Sequence, residues 1–167
     1  DVDNIIVFLD DGTYLITSIN EKKFVGKKII HVDKWKKNNS NVVYNVVYRD
    51  GMRGFNYVKR FSVMSAIKDK AYNLTAGNEG SKIMYFSANP NSEWEILDIK
   101  LKDSSKARKI NLEYSLEKLS IKGRGSKGNI LVKYPIKSVR RKQLGASTLG
   151  GMEIWLDDSV GRLNTTN

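Results

Sequence analysis

Lys122-Gly123-Arg124-Gly125-Ser126-Lys127-Gly128 is the stretch of this chain whose residue types and spacing best suit a chemical task. Its glycines let a charged backbone approach closely, and its cations and backbone N–H groups can donate to phosphate oxygens. The stretch leads into Ile130-Leu131-Val132, an apolar β-branched run that predicts a strand. Beyond it come Lys133, Lys137 and the triplet Arg140-Arg141-Lys142. From Lys102 to Lys142 there are thirteen Lys/Arg against three acids, a net of +10, while the whole chain is +11. The charge is therefore concentrated in one segment, which predicts a footprint for a polyanion rather than general solubility.

Other readings of the same glycines fit less well. Gly123, Gly125 and Gly128 have the spacing of a dinucleotide-binding turn, but that turn must open a helix, and here a strand and Pro135 follow. A kinase-type phosphate loop between strands fits locally, yet the catalytic-loop and metal-binding aspartate motifs of kinases are missing; the single histidine is followed by Val32-Asp33. No catalytic residue is assigned. His31 has no nucleophile beside it in sequence. Asp10-Asp11 and Asp157-Asp158 could be paired carboxylates or magnesium ligands, but they sit at turns, where Asp hydrogen-bonds the backbone, and are read as turn residues. No metal and no cofactor are assigned.

Two further basic groups surround aromatic residues. Lys22-Lys23 and Lys27-Lys28 flank Phe24-Val25, and Lys34, Lys36 and Lys37 flank Trp35. Such groups can bind single strands by stacking, but the preferred reading is a solvated lysine-rich loop with Trp35 anchored in the core. Arg53, Lys59 and Arg60 form another basic group; Lys59 and Arg60 join the candidate contacts as a second tier.

The elements that must hold these residues are strands. Ile5–Leu9, Asp10-Asp11-Gly12 and Tyr14–Thr17 read as a hairpin, as do Val42–Tyr48, Asp50-Gly51 and Phe55–Val58. Ile83–Ser87, Asn89-Pro90-Asn91 and Trp94–Leu97 repeat the pattern. Asp11, Asp50, Asn89 and Gly128 are spaced by 39 residues, a period suited to four-stranded blades. The predicted units are 1–40, 41–80, 81–120, 121–150 and 151–167, the last the start of a further blade. Residues Phe61–Ile67 can form a helical turn, and Leu112–Leu119 a strand or short helix. Two prolines and thirteen glycines, mostly at turns, fit a β-rich chain; 40% hydrophobic residues suffice for a core, no apolar run of about 18 residues implies a membrane span, and the lack of cysteine excludes disulfides. Asp1 without a preceding Met, and the abrupt Asn164-Thr165-Thr166-Asn167, suggest a piece of a longer protein.

Lys118–Leu131, the repeated Asp-Gly hairpins, Phe61-Ser62-Val63, Gly80–Phe86 and Ser147–Gly151 together resemble the C-terminal DNA-binding domain of bacterial type IIA topoisomerase A subunits, of topoisomerase IV or gyrase. The resemblance implies a β-pinwheel, a ring or open spiral of blades, here a partial one, whose basic rim binds and bends double-stranded DNA. It implies a parent A-subunit dimer working with an ATPase B subunit, in the bacterial cytoplasm at the nucleoid. The gyrase members carry a box Gln-Arg-Arg-Gly-Gly-Arg-Gly; at Leu119–Gly125 only Gly123, Arg124 and Gly125 agree. That departure favours a topoisomerase IV-like role over full wrapping. The family's catalytic tyrosine lies in a region that this chain does not resemble. The expected contacts are Lys122, Arg124, Lys127, Lys133, Lys137, Arg140, Arg141 and Lys142, then Lys59 and Arg60. The alternative is a β-propeller-like protein-interaction module with a basic surface for acidic partners.

Overall fold

The computed structural model describes residues 4–18, 28–147, 154–157 and 162–165. The basic group at 22–27, the stretch 148–153 and Asp158 lie outside the described residues. Every regular element among the described residues is a strand, and the sheets form no closed barrel.

Three sheets are each built on one central strand. In the first, β1 (Asn4–Leu9) pairs with β2 (Thr13–Ser18) and with β3 (Ile29–Trp35). In the second, β4 (Val43–Arg49) pairs with β5 (Asn56–Ser62) and with β7 (Lys82–Asn89). In the third, β8 (Glu93–Leu101) pairs with β9 (Asn111–Ser115) and with the long β12 (Ile136–Ser147). Each centre is thus followed by a hairpin partner and later by a strand that returns to its other edge.

The intervening segments cross to the preceding sheet. β6 (Tyr72–Asn73), which follows β5, pairs with β2 of the first sheet. β10 (Ile121–Gly123) and β11 (Asn129–Val132), which follow β9, both pair with β5 of the second sheet, β10 in parallel and β11 antiparallel. A last hairpin joins β13 (Ile154–Asp157) and β14 (Arg162–Thr165).

The pleat assigns the core. On β4, Tyr44, Val46 and Tyr48 face the first sheet and pack with Ile6, Phe8, Tyr14, Ile16 and Phe61. Val47, one residue out of phase, joins Val58, Leu97, Ile99, Leu101, Leu116 and Ile136 between the second and third sheets. The second sheet is therefore covered on both faces, and every residue of β4 except Arg49 is buried.

Two expectations change and one open alternative is decided. The Asp-Gly hairpins at Asp11 and Asp50 are present, but the Asn89-Pro90-Asn91 turn joins β7 to β8, which belong to different sheets. The third hairpin is β8–β9 instead, so the 39-residue spacing marks turns of two kinds. Phe61 and Ser62 finish β5 and residues 63–67 form no helical turn; Leu112–Leu119 is a strand followed by a turn.

Candidate nucleic-acid interface

The glycine-rich segment is a strap laid along the outer edge of β5. Lys122 lies opposite Phe61 in β10; the chain then turns through residues 124–128 and returns as β11, with Asn129 opposite Val58. Gly128 makes the return possible. Its φ is +92°, and a Cβ there would sit 2.6 Å from the Val58 carbonyl oxygen. Gly123 and Gly125 are different: a Cβ on either would meet nothing within 4 Å, so their faces are open.

Side chains beneath the strap fix it. The Tyr48 hydroxyl donates to the Lys127 carbonyl at 2.6 Å. Asn56 Nδ2 donates to the carbonyls of Val132 and Tyr134, at 3.3 and 2.9 Å. Lys59 Nζ donates to the Ser126 carbonyl at 2.7 Å and lies 4.9 Å from the centre of the Phe61 ring.

Lys59 and Arg60 are consequently not the surface contacts that the sequence suggested. They are 2% and 1% exposed. β5 lies in the doubly covered sheet, so a Lys-Arg pair on it has no solvent face. Burial lowers the Lys59 amine to about 8. Arg60 donates to Asn45 Oδ1 at 3.1 Å and to the Ser92 and Glu93 carbonyls at 3.1 and 3.0 Å, tying the second sheet to the start of β8. Burial lowers its pKa too, opposed by the charge of Glu95. Glu95 is itself buried and accepts hydrogen bonds from Tyr85, Ser87 and Asn89.

The remaining candidates are exposed, except Arg124, which is half-buried. Lys127 lies 4.7 Å from the Tyr57 ring centre and 3.4 Å from Asp50, and its pKa is raised, first by the Tyr57 hydroxyl. Lys133 stands 5.3 Å from the Phe55 ring centre. Lys118, Ser120, Lys122, Ser126 and Asn129 line a recess of about 240 Å³ with Lys59 at its edge. On β12 the Arg140-Arg141-Lys142 triplet does not form one patch. Arg140 lies opposite Asp98 and pairs with it at 3.6 Å. Lys142, two residues on, pairs with Glu113 at 2.5 Å, and Glu113 is the cross-strand neighbour of Asp98. Arg141 alternates to the other face, where its charge reaches Tyr85. Exposed pairs of this kind are worth ~0–1 kcal/mol, so a phosphate can displace the carboxylates at little cost.

The structure also brings together cations that sequence reasoning kept apart. Arg124 donates from Nε to the Ser65 carbonyl at 3.2 Å and lies 4.2 Å from the centre of the Tyr72 ring. It thereby closes one side of a cleft of about 750 Å³ whose walls include Trp35, Lys36, Lys37, Lys70 and Tyr72. Trp35 is anchored as expected, its Nε1 donating to the Val63 carbonyl at 2.9 Å. Lys36 and Lys37 are exposed in the loop after β3, as the solvated-loop reading has them, and they line this cleft together with Arg124. Lys70 was missed; its only local signal is the neighbouring Tyr72.

For catalysis the picture is bland. Asp11 accepts from the Thr13 amide and hydroxyl, at 2.9 and 2.6 Å, which is a turn role. His31 packs against Phe8 and Phe86. Among the described residues no group of three His, Cys, Asp or Glu side chains could hold a metal ion, and no helix is long and apolar enough to cross a membrane.

Two comparisons bear on this arrangement. The family described as topoisomerase C-terminal domain, Bacteroidota, matches residues 1–143. The A subunit of DNA topoisomerase 4 from Borreliella burgdorferi is 33% identical over 89 residues, which is 53% of this chain and 14% of that protein. The chain thus spans a small part of that relative's length.

Proposed function

The chain belongs to the topoisomerase C-terminal domain family, and from that premise we propose that it binds duplex DNA through phosphates, without base readout. In a type IIA topoisomerase it would position or bend the duplex for strand passage carried out elsewhere in the parent enzyme. Such an enzyme would work in the cytoplasm, with an A-subunit dimer and an ATPase B subunit. The observation that carries the reading is the strap: Lys122, Arg124 and Lys127 are presented on a glycine turn that is fixed from below by Tyr48, Asn56 and Lys59. A backbone held this way presents its cations with little left to order, which lowers the entropic cost of binding. Lys133, between β11 and β12, and Lys137, Arg140, Arg141 and Lys142, on β12, continue the basic segment.

Phosphate contacts carry no sequence information and release counterions. Duplexes of equal length and different sequence should therefore bind with equal affinity. The log–log salt slope should be about −0.9 per phosphate neutralised, or about −4 if half of the eight candidate cations between Lys122 and Lys142 engage. Fluorescence anisotropy with labelled duplexes at several salt concentrations measures both. A flat salt response, or a strong preference for one sequence, would overturn the reading.

A further inference from the structure

We propose that the cleft between Trp35 and Tyr72 is a second phosphodiester-binding site, which carries a duplex bound at the strap onto the first sheet. The proposal rests on the duplex-binding reading above and extends it beyond residues 122–142.

Four cations from three separate parts of the chain converge on this cleft. Lys36 and Lys37 follow β3, Lys70 precedes β6, and Arg124 comes from the strap. Among the described residues no carboxylate lines it. Among the described residues none of the three lysines lies within ion-pair distance of an acid, whereas Lys127, Arg140 and Lys142 each have one. Like charges gathered without a counter-ion repel, and a bound polyanion relieves that cost. The cleft therefore favours an anion more than the partnered cations of β12 do.

The chemistry points to a phosphate rather than a stacked base. The Tyr72 ring already carries Tyr14 stacked at 5.7 Å and the Arg124 guanidinium at 4.2 Å, and Trp35 is pinned through Nε1. What the cleft offers is charge, together with the polar side chains of Asn4 and Ser65. Arg124 is held in place by Ser65 and Tyr72, so it serves both regions: it is a cation of the strap and also lines the cleft.

The test compares two charge-matched triple variants of this chain. Lys36→Gln, Lys37→Gln and Lys70→Gln empty the cleft of lysine charge. Lys28→Gln, Arg53→Gln and Lys82→Gln remove three exposed cations that line neither region. Binding of a duplex of about 30 base pairs is followed across a salt series. The cleft variant should lose about tenfold in affinity, and its salt slope should become shallower by about 0.9 for each phosphate no longer neutralised, while the control changes little. Equal losses in both variants would show general charge attraction and overturn the proposal alone. A wild-type chain that binds no duplex would instead overturn the duplex-binding reading, and this inference with it. Circular dichroism checks that both variants keep their strands.

Discussion

Lys59 turns a sequence candidate for DNA contact into a support for the strap, and its protonation gives that role a measurable signature. Burial lowers its amine from 10.5 to about 8. The unfolded chain keeps that proton up to the ordinary lysine range. Between about pH 8 and 10.5 the unfolded state thus binds more protons than the folded one, and stability rises with pH across that window. The tyrosines act in the opposite sense at higher pH. Burial pushes Tyr14 up to about 12, and Tyr44, Tyr48 and Tyr85 also upward. Their contribution is complete below pH 10 and is lost as pH rises beyond it. The lysine effect is therefore visible between pH 7.5 and 9.5, where urea denaturation of the wild type should gain on the order of 1 kcal/mol. Lys59→Met should abolish that rise. A variant that keeps the same pH slope would show that Lys59 is not buried as charge. The neutral amine can still donate to the Ser126 carbonyl, so the strap stays tied on the alkaline side.

The strap as an element divides its glycines by role. Gly128→Ala places a methyl group against the Val58 carbonyl in a backbone conformation that only glycine adopts freely, and should cost about 1–3 kcal/mol of stability. Gly123→Ala and Gly125→Ala meet open space, so denaturation midpoints should barely move; on the proposed duplex-binding reading, affinity should fall in both, because the added methyl would stand where a DNA backbone is to approach. If all three variants change stability equally, the open face assigned to Gly123 and Gly125 is wrong. How much of this was legible in sequence follows from how local each signal is. Asp-Gly turns specify hairpins through their own backbone chemistry, and β1–β2 and β4–β5 follow the sequence reading. The strand after Gly128 was legible from its own apolar run, Ile130-Leu131-Val132. The Asn89-Pro90-Asn91 turn carries equal turn chemistry but joins two sheets, and nothing local distinguishes the cases. Likewise Lys59 and Arg60, just after the Phe55–Val58 run, read as a basic group; only the covering of β5 on both faces, set by residues far along the chain, makes these cations structural. The cleft around Arg124 is assembled from segments up to 120 positions apart, Asn4 to Arg124, so sequence spacing could not reveal it.

Across the whole molecule the sheets are interlocked rather than merely stacked. β6 leaves the second sheet's part of the chain to complete the first, and β10 with β11 leave the third's to edge the second. The strap also reaches past the second sheet, where Arg124 contacts Ser65 and, on β6 of the first sheet, Tyr72. The Arg60 network adds a buried polar tie between β5 and the start of β8. Unfolding the third sheet would strip β5 of its edge partners and leave Arg60 with unsatisfied donors, a cost of about 1–3 kcal/mol for each buried group. Such coupling predicts one cooperative transition for the first three sheets, although relatively independent blades would melt in steps. Two tryptophans report on opposite ends: Trp35 closes β3 in the first sheet, and Trp94, 2% exposed, lies in β8 of the third. Variants that retain only one of them, with the others replaced by phenylalanine, allow fluorescence to follow each sheet during urea denaturation. After correction for the stability of each variant by circular dichroism, both probes should give the same midpoint. A Trp94 midpoint lower than that of Trp35 by more than roughly 0.5 M urea would mean that the third sheet unfolds alone. In that case the donated strands would not couple the blades, and the strap could detach from β5 while the first sheet and its basic cleft remained folded.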